Sequence, residues 1–339
     1  MKLRRVAVAA LLLVGAIASV LAGFSVWLYA AYERPYEDGQ AATLVIPRGA
    51  SVEEIANLLA EARVIEDPLP FVFGTRINDM GPRLRAGEYS FPTTISPRAA
   101  MEIVVSGKTV VHRLTIPEGL TTAQALKLVM EAEPLAGEIA RRPEEGALLP
   151  DTYHYARGDT REAMIARMEK AMQAAVDAAW AARPTDTPLK SAREVAVLAS
   201  IVEKETGVAD ERALVAGVFV NRLRRGMRLQ SDPTVAYGVA LREGRPDGWL
   251  DRALTRADLN APSPYNSYLN DGLPPTPIAN PGRAALMAVV KPAATDALYF
   301  VADGTGGHAF ARTLDEHNRN VAKWRALNRN KPEPGRAAP

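Results

Sequence analysis

Two glutamates, Glu203 and Glu205, close the stretch "SAREVAVLASIVEKET", directly after a run of small and apolar residues. Read as a helix, this stretch puts Val195, Leu198, Ala199 and Val202 on one face. At about 100° per residue, the two carboxylates flank that stripe on opposite sides, each at the boundary between packed interior and open surface. A carboxyl group so placed loses solvation, its pKa rises, and it can hold a proton at neutral pH. It can then serve as a general acid. The competing reading makes both residues a solvated edge, helped by Lys204 and Arg212. Periodicity does not choose between the two glutamates.

Further along, "NRLRRGMRLQSDPTVAYG" brings together Asn221, Gln230, Ser231, Asp232 and Tyr237. The segment "SPYNSYLNDGLPPTPIANPG" adds Tyr265, Asn266, Ser267, Tyr268 and Asn270, and "PDTYHY" adds Asp151, Tyr153 and Tyr155. Aromatic faces with amide and hydroxyl groups suit an extended, neutral, sugar-like polymer. Taken singly, each residue is also ordinary turn chemistry.

These groups must be held by a sizeable scaffold. The 339 residues are 47% hydrophobic and 24% charged, the balance of a folded chain with room for two domains. A net charge of +2 gives no case for nucleic acid as a partner. The chain has no cysteine, which excludes disulfides and thiolate chemistry. His112, His154, His308 and His317 are scattered without an HxxxH-type pair, so neither a metal nor another cofactor is expected. At the N-terminus, "MKLRR" precedes an uncharged apolar run over residues 6–29, long enough for a membrane-spanning helix. Its aromatic end, Trp27, Tyr29 and Tyr32, suits an uncleaved anchor better than a signal peptide. Lys2, Arg4 and Arg5 place residues 1–5 in the cytoplasm and the rest of the chain across the membrane.

A tether is expected over 30–42, then an α+β subdomain over 43–108 in which strands and capped helices interleave. Ser51 with Glu54 forms a capping box, and Ile55, Leu58 and Leu59 supply the inward face. A larger mixed α/β domain follows over 109–330, and a disordered tail over 331–339. In the larger domain, "HRLTIPEGLTTAQALKLVM" echoes "TLVIPRGASVEEIANLLAE". Long helices follow, then a proline-rich loop region from Pro246 to Pro281, a Gly-turned strand pair around "ALYFVADGTGGHAFA", and a final polar helix. Loops of that length usually line a site.

The motifs "EEGALLPDTYHY", "LASIVEKET", "ERALVAGVFVNRLRRGMRLQSDPTVAYG", "SPYNSYLNDGLPPTPIANPG" and "HAFARTLDEHNRNV", in this order, resemble the endolytic murein transglycosylase (MltG or YceG-like) family. The resemblance covers nearly the whole chain. It departs from the family pattern at Ala147 and Leu149, where aromatic residues are more usual. It implies an α+β fold with a transmembrane helix, a small LysM-like subdomain and a catalytic domain outside the inner membrane. The implied activity is a lytic cut within peptidoglycan glycan strands that ends strand elongation, with peptidoglycan synthases and division proteins as companions. The family's catalytic glutamate falls by motif position on Glu203. One carboxyl would protonate the oxygen between N-acetylmuramic acid and N-acetylglucosamine. It would then take the proton of the muramyl C6 hydroxyl as a 1,6-anhydro ring closes. No water is consumed, so a second carboxylate is not obligatory. Asn221, Gln230, Asp232, Tyr237 and Asn266 are the candidates for orienting substrate, and Glu205 for tuning the acid. A hydrolytic muramidase and a non-catalytic peptidoglycan-binding anchor are the rival readings.

Overall fold

The computed structural model describes residues 2–329, and the expected tail over 331–339 lies outside the described residues. The chain divides into two compact units, the first made of residues 1–112 and 154–158, the second of 113–153 and 159–339. The boundary expected at 108/109 thus falls four residues later, and a short segment from further along the chain returns to the first unit.

In the first unit, helix α1 (Lys2–Glu33) contains an apolar stretch, Arg5–Glu33, long enough to cross a bilayer. No tether begins at residue 30: the helix runs to Glu33, and Leu28 and Tyr32 are buried. Strand β1 (Ala42–Ile46), helices α2 (Val52–Glu61) and α3 (Pro68–Ile77), strand β2 (Gly87–Phe91) and helix α4 (Pro97–Ser106) complete the unit. β1 and β2 pair antiparallel with Leu44 opposite Tyr89. The Ser51–Glu54 capping box forms as expected, and Ile55 and Leu59 join Tyr32, Phe71, Tyr89, Phe91 and Val104 in the core. Helix α3 has no counterpart in the sequence reading, because Pro68 and Pro70 look like breakers. Both sit in the first turn, where a missing N–H costs no helical bond, and Asp67 caps the end by accepting from Leu69 N–H at 2.7 Å. Gly74 lets α3 close onto α1, since a Cβ there would lie 2.3 Å from the Tyr32 ring.

Strands β3 (His112–Thr115) and β4 (Thr152–Tyr155) each begin in one unit and end in the other, and the second unit holds helices α5 (Thr122–Glu131), α6 (Arg161–Ala181), α7 (Ala192–Glu205), α8 (Arg212–Arg224), α9 (Asp232–Arg242), α10 (Arg256–Leu259) and α11 (Arg283–Val290). Strands β5 (Tyr299–Ala302) and β6 (His308–Ala311) form the expected hairpin, and α12 (Leu314–Arg329) the last helix. Helix α7 is the axis of this unit. Its buried residues run unbroken from Val195 to Val202, so it is enclosed on every side rather than amphipathic. α6, α8 and α11 pack around it, and the small side chains of Ala196, Ala199 and Ser200 allow them close. At its C-terminal end α7 leaves the core, and there stand Glu203 and Glu205. The expected loop region is held rigid by buried polar residues. Asn280 accepts from Leu148 N–H and donates to Leu120 O, while Ser200 Oγ accepts from Ile278 N–H at 3.0 Å.

Candidate active site

Glu203 and Glu205 emerge into different surroundings. The Glu203 carboxylate accepts from Gly282 N–H at 2.9 Å and faces the Arg212 guanidinium at 3.7 Å. Arg212 stands equally far from Glu118, so one cation sits between two carboxylates. The Glu203 side chain is only 6% exposed. Burial pushes its pKa up and the Gly282 N–H pulls it down; Glu118 adds to the rise, and Arg212 and Lys204 oppose it. A Cβ at Gly282 would displace the Glu118 carboxylate from its place beside Arg212.

Glu205 is the last residue of α7, and the chain turns to extended backbone at Thr206. Its Oε1 accepts from Ser231 Oγ at 2.5 Å. Ser231 is in turn fixed by a bond from its N–H to Ser267 Oγ at 2.9 Å, with Thr234 bonded to both. Burial raises the Glu205 carboxyl to about 7; the Ser231 hydrogen bond opposes this, Asp232 pushes further up, and His308 and Arg222 pull down. A helix C-terminus presents negative dipole charge, which also disfavours a carboxylate there. At neutral pH such a group is divided between acid and base forms, as a residue that must donate and then recover a proton requires.

Several of the polar residues singled out above gather around Glu205. Asp232 is exposed at the start of α9 and accepts from Tyr268 Oη at 2.7 Å. Gln230, also exposed, has a left-handed backbone (φ 50°), which sets the turn delivering Ser231 to Glu205. Its N–H donates to Ser267 O at 3.1 Å. Arg222 is buried and donates to Leu298 O at 2.6 Å and Leu229 O at 2.8 Å, tying β5 to the same turn. On β6, His308 Nδ1 lies 2.7 Å from Glu211 Oε2, and His308 N–H donates to Glu211 Oε1 at 2.9 Å.

Other candidates are engaged elsewhere. The Asn221 amide donates to Thr295 O at 2.7 Å and Ala297 O at 3.2 Å, pinning the approach to β5. Asn266 is fully buried; it donates to Leu259 O and Ala261 O and accepts from Tyr268 N–H. Its side chain thus shapes the loop carrying Tyr268, and no atom of it is left for substrate. Tyr237 packs edge-on against Tyr265 at 5.0 Å, and its hydroxyl donates to Glu145 at 3.3 Å. Glu145 is a third buried carboxyl, pushed up by burial and held by Thr122 N–H at 2.7 Å. Sequence reasoning missed Glu118, Glu145, Glu211 and Arg222, whose partners lie far along the chain. Ser231 and Tyr268 were visible as polar residues without a role. Leu149, at a position where aromatic residues are more usual, is wholly buried and presents nothing to a ligand.

The YceG-like family model matches residues 44–323. The chain belongs to the YceG-like family. Proteins named endolytic murein transglycosylase are similar to it: one from Streptococcus pneumoniae (strain D39) at 31% identity, covering 83% of this chain and 58% of that protein, and one from Bacillus subtilis at 30%, covering 82% and 83%. The chain thus spans little more than half the length of the pneumococcal relative. A crystal structure of a yceG-like protein from Listeria monocytogenes matches with TM-score 0.50 at 30% identity, covering 83% of this chain and 99% of that one. The YceG-like match takes in both carboxylates of α7 and all the residues gathered around Glu205.

Proposed function

We propose that this YceG-like chain is an endolytic peptidoglycan lytic transglycosylase, anchored in the inner membrane by α1 with both units on the periplasmic side, and that Glu205 is its general acid. The observation that carries this reading is the Ser231 hydroxyl held on Glu205 beside the exposed Gln230 and Asp232, and burial pushes that carboxyl up to about 7. Motif position points to Glu203. Its carboxyl is joined to Arg212 by an ion pair and to Gly282 by a backbone hydrogen bond, partners that suit a structural carboxylate. Both carboxyls are largely enclosed, and Glu205 is singled out by the exposed Gln230 and Asp232 beside it, where an acid can meet a glycosidic oxygen.

In the proposed reaction, protonated Glu205 gives its proton to the oxygen linking N-acetylmuramic acid to N-acetylglucosamine. The C1–O bond breaks, and positive charge grows at C1. The Glu205 carboxylate, steadied by Ser231 Oγ, then accepts the C6 hydroxyl proton as O6 bonds to C1. The products are a 1,6-anhydro end and a free N-acetylglucosamine end, and the acid is regenerated without water. Gln230 and Asp232 are placed to hold sugar hydroxyls and amides, with Tyr268 orienting Asp232. Termination of nascent strands, contact with synthases and division proteins, and a LysM-like role for the first unit extend this reading. The relatives' names support the endolytic cut in murein that these extensions presuppose, and the LysM-like role rests on that unit's interleaved strands and helices.

The test is digestion of purified peptidoglycan by wild type, Glu203→Gln and Glu205→Gln, with products weighed by mass spectrometry. The expected result is anhydromuropeptides from wild type, none from Glu205→Gln, and reduced but measurable release from Glu203→Gln. Release by Glu205→Gln but not Glu203→Gln would move the acid to Glu203. Products heavier by one water would make the enzyme a muramidase, and glycan binding without chain shortening would make it an anchor.

A further inference from the structure

Helix α3 is apolar around its circumference, apart from the buried Thr75 and from Arg76, near its end. Pro70, Phe71, Gly74 and Thr75 face inward and are buried. Leu69, Val72, Phe73 and Ile77 form a second stripe at helical spacing, with Leu69 58% and Ile77 61% exposed. A helix apolar on every side belongs inside a protein or against lipid. Between this outer stripe and α1 runs a groove of about 460 Å³, walled on the α1 side by Phe24 and Leu28.

The place of that groove along α1 identifies its occupant. Phe24 and Leu28 lie within the apolar stretch Arg5–Glu33, next to Trp27, an aromatic suited to the membrane–water boundary. Gly74 is packed so closely on Tyr32 that α3 is seated against the end of α1 rather than hanging from it. If α1 spans a bilayer, α3 is carried to the depth of its last apolar turns. Phe24, Leu69 and Ile77 line one groove, and Trp27 stacks on Phe24 at 5.7 Å. Arg76, ion-paired with Glu53, can keep its charged end toward water while its stem lines the groove.

We propose that α3 is a second membrane contact, its outer stripe resting in the headgroup–acyl boundary of the bilayer that α1 crosses, with phospholipid acyl chains filling the groove. This rests on the reading of α1 as an anchor. The depth expected for such an interfacial helix is about 5–10 Å below the headgroups. The first unit would thereby be fixed on the membrane surface at two points.

The absence of cysteine from the chain makes the test clean. Leu69→Cys, Ile77→Cys and Leu12→Cys, each in the full chain, are labelled with an environment-sensitive fluorophore and reconstituted into phosphatidylcholine–phosphatidylglycerol vesicles. Lipids bearing a quencher near the headgroup or deep in the acyl chain then report depth. The expected result is quenching at 69 and 77 by the shallow quencher more than the deep one, and the reverse at 12. Quenching at 12 alone would overturn the α3 contact and leave the anchor standing; a second copy or a protein partner covering α3 would give this outcome, with blue-shifted but unquenched probes. Absence of quenching at all three positions would overturn the anchor reading and this proposal with it.

Discussion

Replacing Glu205 with glutamine should make the protein more stable above neutral pH while abolishing its activity. Burial raises the Glu205 carboxyl from an ordinary 4.5 to about 7. The folded state therefore prefers the protonated group, and its contribution to stability is full below the unfolded value and lost as pH rises through about 7. At about 1.36 kcal/mol per pH unit, carrying the charge at pH 8 costs the fold about 3 kcal/mol, against less than about 1 kcal/mol at pH 5. Glutamine is neutral at every pH and its amide oxygen can still accept from Ser231. For a unit of this size, about 2 kcal/mol of difference between the two pH values corresponds to a melting temperature change of roughly 4–8 °C. Thermal unfolding of full-length wild type and Glu205→Gln in detergent at pH 5 and pH 8 checks this. The variant should melt higher, by a margin that widens toward pH 8. A margin that is constant with pH, or larger for Glu203→Gln, would refute the assignment of the desolvated carboxyl to Glu205.

Ser231→Ala removes the hydrogen bond that holds the Glu205 carboxyl down, so the alkaline limb of the activity profile should move to higher pH, with a stability loss of about 1 kcal/mol. A pH–rate profile on glycan substrate reads this. Arg222→Met strips carbonyls at Leu229 and Leu298 of a buried charged donor; denaturant unfolding should show a loss of about 3 kcal/mol or more. Gly74→Val puts a side chain where the Tyr32 ring lies and should separate α3 from α1, costing about 1–3 kcal/mol, seen as faster proteolysis of the first unit.

What was legible in the sequence was local. The Ser51–Glu54 capping box, the hairpin of β5 and β6, and the apolar face of α7 each depend on residues a few positions apart. The enclosure of α7 on all sides was not legible, because alanine and serine at 196, 199 and 200 read as neutral in a periodicity argument. Their smallness is what admits α6, α8 and α11. The two glutamates could not be separated for the same reason. Ser231 reaches Glu205 across 26 residues, and Gly282 reaches Glu203 across 79. Asn221 and Asn266 looked like ligand groups because their amides are polar, but loop carbonyls supplied by the fold consume them. Helix α9 was hidden by reading "SDPTVAYG" for hydrogen bonding, although Pro233 is a standard opening residue for a helix.

The return of residues 154–158 to the first unit bears on how the chain matures. Glu88 is a buried carboxylate whose partners are the His112 ring, at 2.6 Å, and the Arg157 guanidinium, at 3.3 Å, and the His112 ring also lies against Tyr155. While the chain is being made from its N-terminus, the first unit emerges lacking Arg157 and Tyr155. It can gain its full set of contacts only after α5 and the segment that follows have also been made. Completion of the first unit is thereby tied to delivery of the opening of the second. A fragment cut at residue 112 would leave Glu88 without its arginine partner, whereas one that retained 154–158 would keep both Arg157 and His112.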